Sequence, residues 1–263
     1  MKLIHLNLLC ALWFISCYGH VCMAAEYRFV GTEFPYILEE NADGDITGLG
    51  AEITKTIFKR IGKTVKIEIL PFKRALKMME KGQVDAFIGP YKLPQRALFM
   101  RYTDNAFYQD PIVFYRLKTN PVNWLGDYSR LANLQIAIIR GWSYGTEFEQ
   151  YKSALSLSMV DTVESGCKQL RYNRVDLLAA NPRAARKAFD KLDMAHEVVQ
   201  LPTEITVNQG YFAFSRNHDL NSVFDDFNQA LNQMLVSGEI ARLNLDYGLL
   251  FQSKKTLTLS NRE

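Results

Sequence analysis

GQVDAFIGPYKLPQRALFMRYTDNAFYQD, residues 82–110, is the stretch whose reading decides the fold. Gly82 stops a preceding helix, and the apolar run 84–88 reads as a buried strand bounded by turn residues. Gly89, Pro90 and Pro94 break that strand into an open loop. The loop carries Lys92 and delivers Arg96 to a helix start. Residues 102–107 then extend toward another part of the fold. A strand that ends in a Gly/Pro loop and presents an arginine at a helix start is an anion clamp. A guanidinium fork binds both oxygens of a carboxylate, and a helix N-terminus adds backbone donors.

Upstream, 27–30 is a short strand and 31–48 a loop rich in turn residues. A helix over 51–61 places Ile53, Ile57, Phe58 and Ile61 at helical spacing. Residues 65–70 alternate as a strand, and Pro71 opens a helix that runs to Lys81. This β-α-β-α-β order predicts a mostly parallel sheet with helices on its faces. Downstream, 111–117 is extended and a polar region around Asn120, Pro121, Asn123 and Gly126 follows. The alternation then restarts, with strands at 134–139, 156–160 and 175–179 and helices at 146–152, 163–172 and 182–191. Residues 198–202 lead out again, 211–214 form a strand, and helices cover 220–235 and 239–245. One faint echo links the halves: Gln83-Val84-Asp85 and Arg174-Val175-Asp176 each follow a helix and open a strand. The expected fold is α/β with two lobes and a ligand cleft between them. Two segments, near 106–110 and 206–210, cross from lobe to lobe. Residues 25–108 with 209–263 form lobe one, and 109–208 form lobe two.

The 263 residues suffice for two lobes of about 100 residues each. Hydrophobic content of 48% and charged content of 22% suit a chain with a sizeable core. Net charge is +3, or +2 without Lys2, and no run of five basic residues occurs, which argues against nucleic acid and against a polybasic membrane patch. Residues 1–24 read as a secretory signal: Lys2 is the positive region, 8–17 is mostly apolar, and Cys22 and Ala24 are the small residues before the cleavage. A periplasmic protein is expected. His5, Asn7, His20 and the short span weigh against a membrane anchor, and Phe14 and Ile15 against lipidation at Cys17. Cys10, Cys17 and Cys22 lie in the leader, so Cys167 stands alone in the mature chain as a small buried hydrophobe, with no internal disulfide.

Gly82-Gln83-Val84-Asp85-Ala86, Pro94-Gln95-Arg96 and the segment Tyr102-Thr103-Asp104-Asn105-Ala106-Phe107-Tyr108 follow an order that is similar to one family. The chain resembles the bacterial extracellular solute-binding proteins of family 3, the periplasmic amino-acid receptors of ABC transporters, over about residues 27–248. That family commonly reads G-K-V-D-A, a strand, a small-residue loop, T-P-E-R, then F-S-x-P-Y. The resemblance implies a two-lobed periplasmic-binding-protein-like fold of type 2, without enzymatic activity or cofactor. It implies a monomer that takes a small-molecule ligand and works with an ABC transporter permease or a membrane sensor. It places Phe34 and Tyr36 in an aromatic loop at the cleft and Phe72 against the ligand side chain. Gly89 and Tyr91 bond the ligand carboxylate, with Arg96 as its ion partner in preference to Lys92. Ser143 supplies a hydroxyl from lobe two. Asn181 stands where amino-acid binders usually carry an Asp for the ligand ammonium. Asn181 and Leu93, where the family often has Thr, depart from the pattern, so a carboxylate with a neutral far end fits as well as an amino acid. Each residue also has an ordinary role: Arg96 on a helix surface, Phe72 packed on Leu76, Tyr36 and Tyr91 covering loops, Ser143 capping a helix, and Asn181-Pro182 as N-cap and N1.

Gly141-Trp142-Ser143-Tyr144-Gly145 spells G-x-S-x-G between a strand and a helix, the serine-hydrolase elbow. Asp176 or Asp193 with His196 or His218 stand in the right chain order for a triad, but no HGGG-like oxyanion loop is visible. An enzyme built on the receptor fold, such as a dehydratase, is a further alternative. Asn41, Asp43, Asp45 and Glu52 fall at calcium-loop spacing, with Ile46 where that loop needs Gly. His196 and His218 are 22 positions apart with no Cys/His cluster, which gives no zinc pattern. No P-loop or G-x-G-x-x-G is present.

Overall fold

The computed structural model describes residues 26–249; residues 1–24, read above as a secretory signal, and their three cysteines lie outside the described residues. Strand β1 (Glu26–Gly31) pairs in parallel with β4 (Thr64–Ile69) and β5 (Ala86–Tyr91). A short hairpin, β2 (Glu39–Glu40) with β3 (Ile46–Thr47), fills the segment with calcium-loop spacing. The Asn41 side chain closes its turn by accepting from the amides of Asp43 and Asp45 at 3.0 and 2.8 Å. Helix α1 (Leu49–Arg60) covers one face of this sheet, and α2 (Phe72–Glu80) covers the other.

Strand β6 (Met100–Tyr102) and strand β7 (Tyr108–Leu117) lead into the second lobe. There β8 (Gln135–Ile139) pairs in parallel with β9 (Ser156–Val160) and with β10 (Leu177–Ala180). Helices α3 (Gly145–Tyr151), α4 (Val163–Arg171) and α5 (Pro182–Lys191) connect them. Strand β11 (Val198–Ser215) then returns to the first lobe, followed by α6 (Asn221–Val236) and α7 (Glu239–Asp246).

Side chains alternate across each sheet, as the two-residue pleat requires. Phe29, Ala86, Ile88, Phe212 and Phe214 enter a core with α1, α6 and α7, whereas Val30, Phe87 and Ala213 enter a separate core with α2. In the second lobe, Ala137, Leu178 and Ala180 pack with α4 and α5, and Ile136, Ile138, Leu177 and Ala179 pack with Trp124, Tyr128 and Phe148. Phe29 is ringed by Phe58, Phe214 and Phe227 at 5.1, 5.4 and 5.9 Å, largely edge-on or tilted.

The echo between the halves has a structural meaning. Asp85 accepts the Arg28 amide on its carboxylate at 2.7 Å, while its own amide donates to the Arg28 carbonyl. Asp176 does the same to Gln135, at 2.8 Å for both bonds. Each lobe thus clamps one parallel strand, at Arg28 and at Gln135, with an aspartate that precedes a neighbouring strand.

Three local expectations are corrected. Residues 89–91 do not leave the sheet as an open loop, because β11 supplies an antiparallel partner, with Tyr91 opposite Gly210 and Ile88 opposite Phe212. Arg96 starts no helix: 94–99 is a run of turns, in which the amides of Arg96 and Ala97 donate to the Leu93 carbonyl and that of Met100 to Arg96. Residues 198–202 and 211–214 belong to one 18-residue strand. It survives Pro202 because register shifts between Gln200 and Glu204 relieve the lost donor.

Strands β7 and β11 are the two crossing segments, and they pair with each other: Asp110 opposite Asn208, Gln109 opposite Gln209, Tyr108 opposite Gly210. Any Cβ at Gly210 would meet the Tyr108 ring at 1.7 Å, so this crossing admits glycine alone. The Tyr108 hydroxyl donates to the Gly89 carbonyl at 2.7 Å. The joint between lobes is therefore packed sheet.

Candidate functional site

A cavity of about 710 Å³ lies between the lobes. From the first lobe its walls carry Glu33, Phe34, Phe72, Gly89, Tyr91 and Arg96; from the second, Arg140, Trp142, Asp161, Thr162 and Lys187. Helix α4 begins at this wall, where Thr162 accepts the Ser165 amide at 3.1 Å. Arg140 donates to Asp161 at 2.8 Å on the same wall.

Arg96 is half-buried in the wall. Its guanidinium lies 4.9 Å from the Phe72 ring centroid, and Nη1 donates to the Tyr91 carbonyl at 3.2 Å. No carboxylate pairs with it among the described residues. Burial holds its pKa below the ordinary arginine value, partly offset by the tyrosines Tyr102 and Tyr91. It stays cationic, with donors left for a ligand. Lys92 is not on the wall: its ammonium lies over the rings of Tyr102 and Tyr211, 5.9 Å from each.

The other expected site residues divide. Phe34, Phe72, Gly89, Tyr91 and Arg96 come together on the first-lobe wall. Tyr36 stands outside it, at φ 64, with its amide donating to Glu39 at 2.7 Å and its ring 5.4 Å from the Arg186 guanidinium. Ser143 also stands off the wall, and its carbonyl accepts from Asn208 at 2.9 Å. Asn181 is fully buried as the N-cap of α5, accepting the Ala184 amide at 2.7 Å and donating to Asp110 at 3.2 Å.

The structure adds a buried group that sequence reading missed. Arg183, on the first turn of α5, donates to the Pro35 carbonyl and to Asp110, both at 2.8 Å. Tyr91 donates its hydroxyl to the same Asp110 carboxylate. Burial, then the Asp110 charge, push the Tyr91 pKa well above its usual value, so it remains a donor. Lys187, one turn further along α5, pairs with Glu39 of the first lobe. No spacing rule links Arg183 to residues 73 positions earlier; a basic first helical turn against the N-terminal dipole was the one anomaly to notice.

The hydrolase constellation does not assemble. His218 contacts Asp85 at 3.1 Å, and exposed His196 lies near Asp193 and Glu197. The last glycine of the elbow motif has a packing reason, since a Cβ at Gly145 would meet the Thr206 side chain at 2.7 Å. Cys167 is a free, buried thiol whose pKa burial pushes up to about 12.

Comparison with known proteins agrees with the two-lobed fold. The family model of bacterial extracellular solute-binding proteins, family 3, matches residues 29–249. The probable amino-acid-binding protein YxeM of Bacillus subtilis (strain 168) is 19% identical over 220 residues, which are 82% of this chain and 81% of that protein. Among solved structures, a histidine kinase sensor domain with similarity to periplasmic binding proteins superposes with a TM-score of 0.72 at 15% identity, over 87% of this chain and 99% of that one. The substrate-binding protein of an amino acid ABC transporter superposes with a TM-score of 0.66 at 21% identity, over 85% and 99%.

Proposed function

The chain belongs to the bacterial extracellular solute-binding proteins of family 3, and from that membership we propose a periplasmic receptor that closes on a small carboxylate-bearing ligand for ABC-type import. The observation that carries this reading is Arg96, a half-buried cation without a carboxylate partner among the described residues, facing a cavity large enough for a metabolite. The ligand carboxylate takes the guanidinium fork and the Phe72 ring flanks its body. Thr162 and the start of α4 meet it from the opposite lobe. The full contact set exists only when the lobes are together, and this differential affinity shifts the open–closed equilibrium. The amino-acid binders among the relatives support an amino acid or a related polar acid as ligand.

Lobe limits at 108/109 and 208/209 are supported by the division of the cores and by the paired crossing strands. The reading includes a monomer without catalytic activity, exported through cleavage after Ala24; mass spectrometry of the secreted protein then finds residue 25 first. A thermal-shift screen against amino acids, small peptides, polyamines and organic acids tests the ligand class, because a binder raises Tm by mass action. Stabilisation by a carboxylate that persists undiminished in Arg96→Ala would sink the reading. Hydrolysis of p-nitrophenyl esters that vanishes in Ser143→Ala would favour the hydrolase instead.

A further inference from the structure

Arg183 is rooted in the second lobe, yet its head is filed into the first. The guanidinium lies 3.8 Å from the Phe34 ring centroid, donates to the Pro35 carbonyl and pairs with Asp110. Its side chain is 4% exposed and that of Asp110 2%. One oxygen of Asp110, Oδ2, receives three donors: the Tyr91 hydroxyl, Asn181 and Arg183. Phe34, Pro35 and Tyr91 also face the ligand cavity, whereas Arg183 and Asp110 face a smaller cavity of about 430 Å³. The Arg183–Asp110 pair therefore joins the wall of the ligand cavity, through Phe34, Pro35 and Tyr91, to the second cavity.

An aromatic face beside a carboxylate is what would receive a ligand's positive end. Here the protein's own cation already lies on both. A ligand ammonium entering there would place two cations on one carboxylate, in a region where like charges are poorly screened. We propose that Arg183 is a resident cation standing in for a ligand ammonium, so that the cleft needs only a carboxylate and an uncharged body. Carboxylic acids without an α-amino group then bind at least as tightly as the corresponding amino acids. This inference rests on the cavity being the ligand site and narrows the ligand class within that reading.

Two measurements test it. Calorimetric titration of the wild-type protein compares matched pairs: glutarate with glutamate, propionate with alanine, 3-phenylpropionate with phenylalanine. In any pair that binds, the amine-free acid should show an equal or lower Kd; a preference for the amino acid of tenfold or more overturns the proposal. The second measurement is chemical rescue by methylguanidinium at low millimolar concentration. It should raise the Tm of Arg183→Ala in a saturable way, leave wild type unmoved, and lose its effect in Arg183→Ala/Asp110→Asn. Absence of rescue, or an equal rise in wild type, overturns the proposal. If Arg183→Ala does not fold, Arg183→Met, which keeps an apolar stem against Phe34, takes its place. If no member of any pair binds, the ligand-site reading falls, while the rescue still decides whether Arg183 fills a cation site.

Discussion

Replacing Arg96 with alanine removes a charge-assisted bond worth roughly 1.5–3 kcal/mol, which corresponds to a Kd about 10–150-fold weaker for a carboxylate ligand. Titration of an identified ligand checks this, and the unliganded Tm should change little by comparison, since among the described residues the Arg96 side chain donates to the Tyr91 carbonyl and pairs with no carboxylate. Asp85→Ala and Asp176→Ala each leave a strand amide, of Arg28 and Gln135 respectively, without its carboxylate partner. Each should destabilise the fold by about 1–2 kcal/mol, read as a lower urea midpoint. Individual residues also show what a sequence can reveal. Asn181 is legible as an N-cap because Asn before Pro is a local capping signal, whereas the Gly89-Pro90 punctuation that singles out Arg96 lies inside a paired strand. Arg183 was not legible, because its role depends on Pro35 and Asp110, which tertiary folding alone brings to it.

Elements were read more reliably in the interior than at their ends. The alternation of apolar strands and amphipathic helices is local physics, and 156–160 and 182–191 coincide with β9 and α5. The strand through Gly89 and Pro90 and the continuity of β11 depend on partners far along the chain, so Gly and Pro break a strand less beside a paired neighbour than their local signal implies. At Gly210 the same logic yields a prediction. A methyl group there collides with the Tyr108 ring, so Gly210→Ala must displace backbone at the crossing and lower Tm. Overpacking of this kind costs about 1–3 kcal/mol. In a Tyr108→Ala background, itself destabilised by loss of a buried ring, the added Gly210→Ala should lower Tm by less than it does in wild type; equal melting of Gly210→Ala and wild type would refute the packing argument.

At the scale of the molecule, helix α5 fastens one lobe to the other through Arg183, Arg186 and Lys187. Ligand binding should add to this fastening, so small-angle scattering should record a smaller radius of gyration with ligand than without it. Lys187→Ala alone should matter little, because its partly exposed pair with Glu39 is of the class worth about 0–1 kcal/mol. Cys167 lies wholly inside the α4–α5 core. Alkylation by iodoacetamide should be negligible in the native protein and complete after denaturation.

The eighteen residues of β11 pair with β7 over much of their length, then with β5 and β6. Such a shared plank leaves each half with a raw sheet edge if the other is taken away. Halves expressed separately should therefore aggregate, and scanning calorimetry of the intact chain should trace a single endotherm where independent modules would give two.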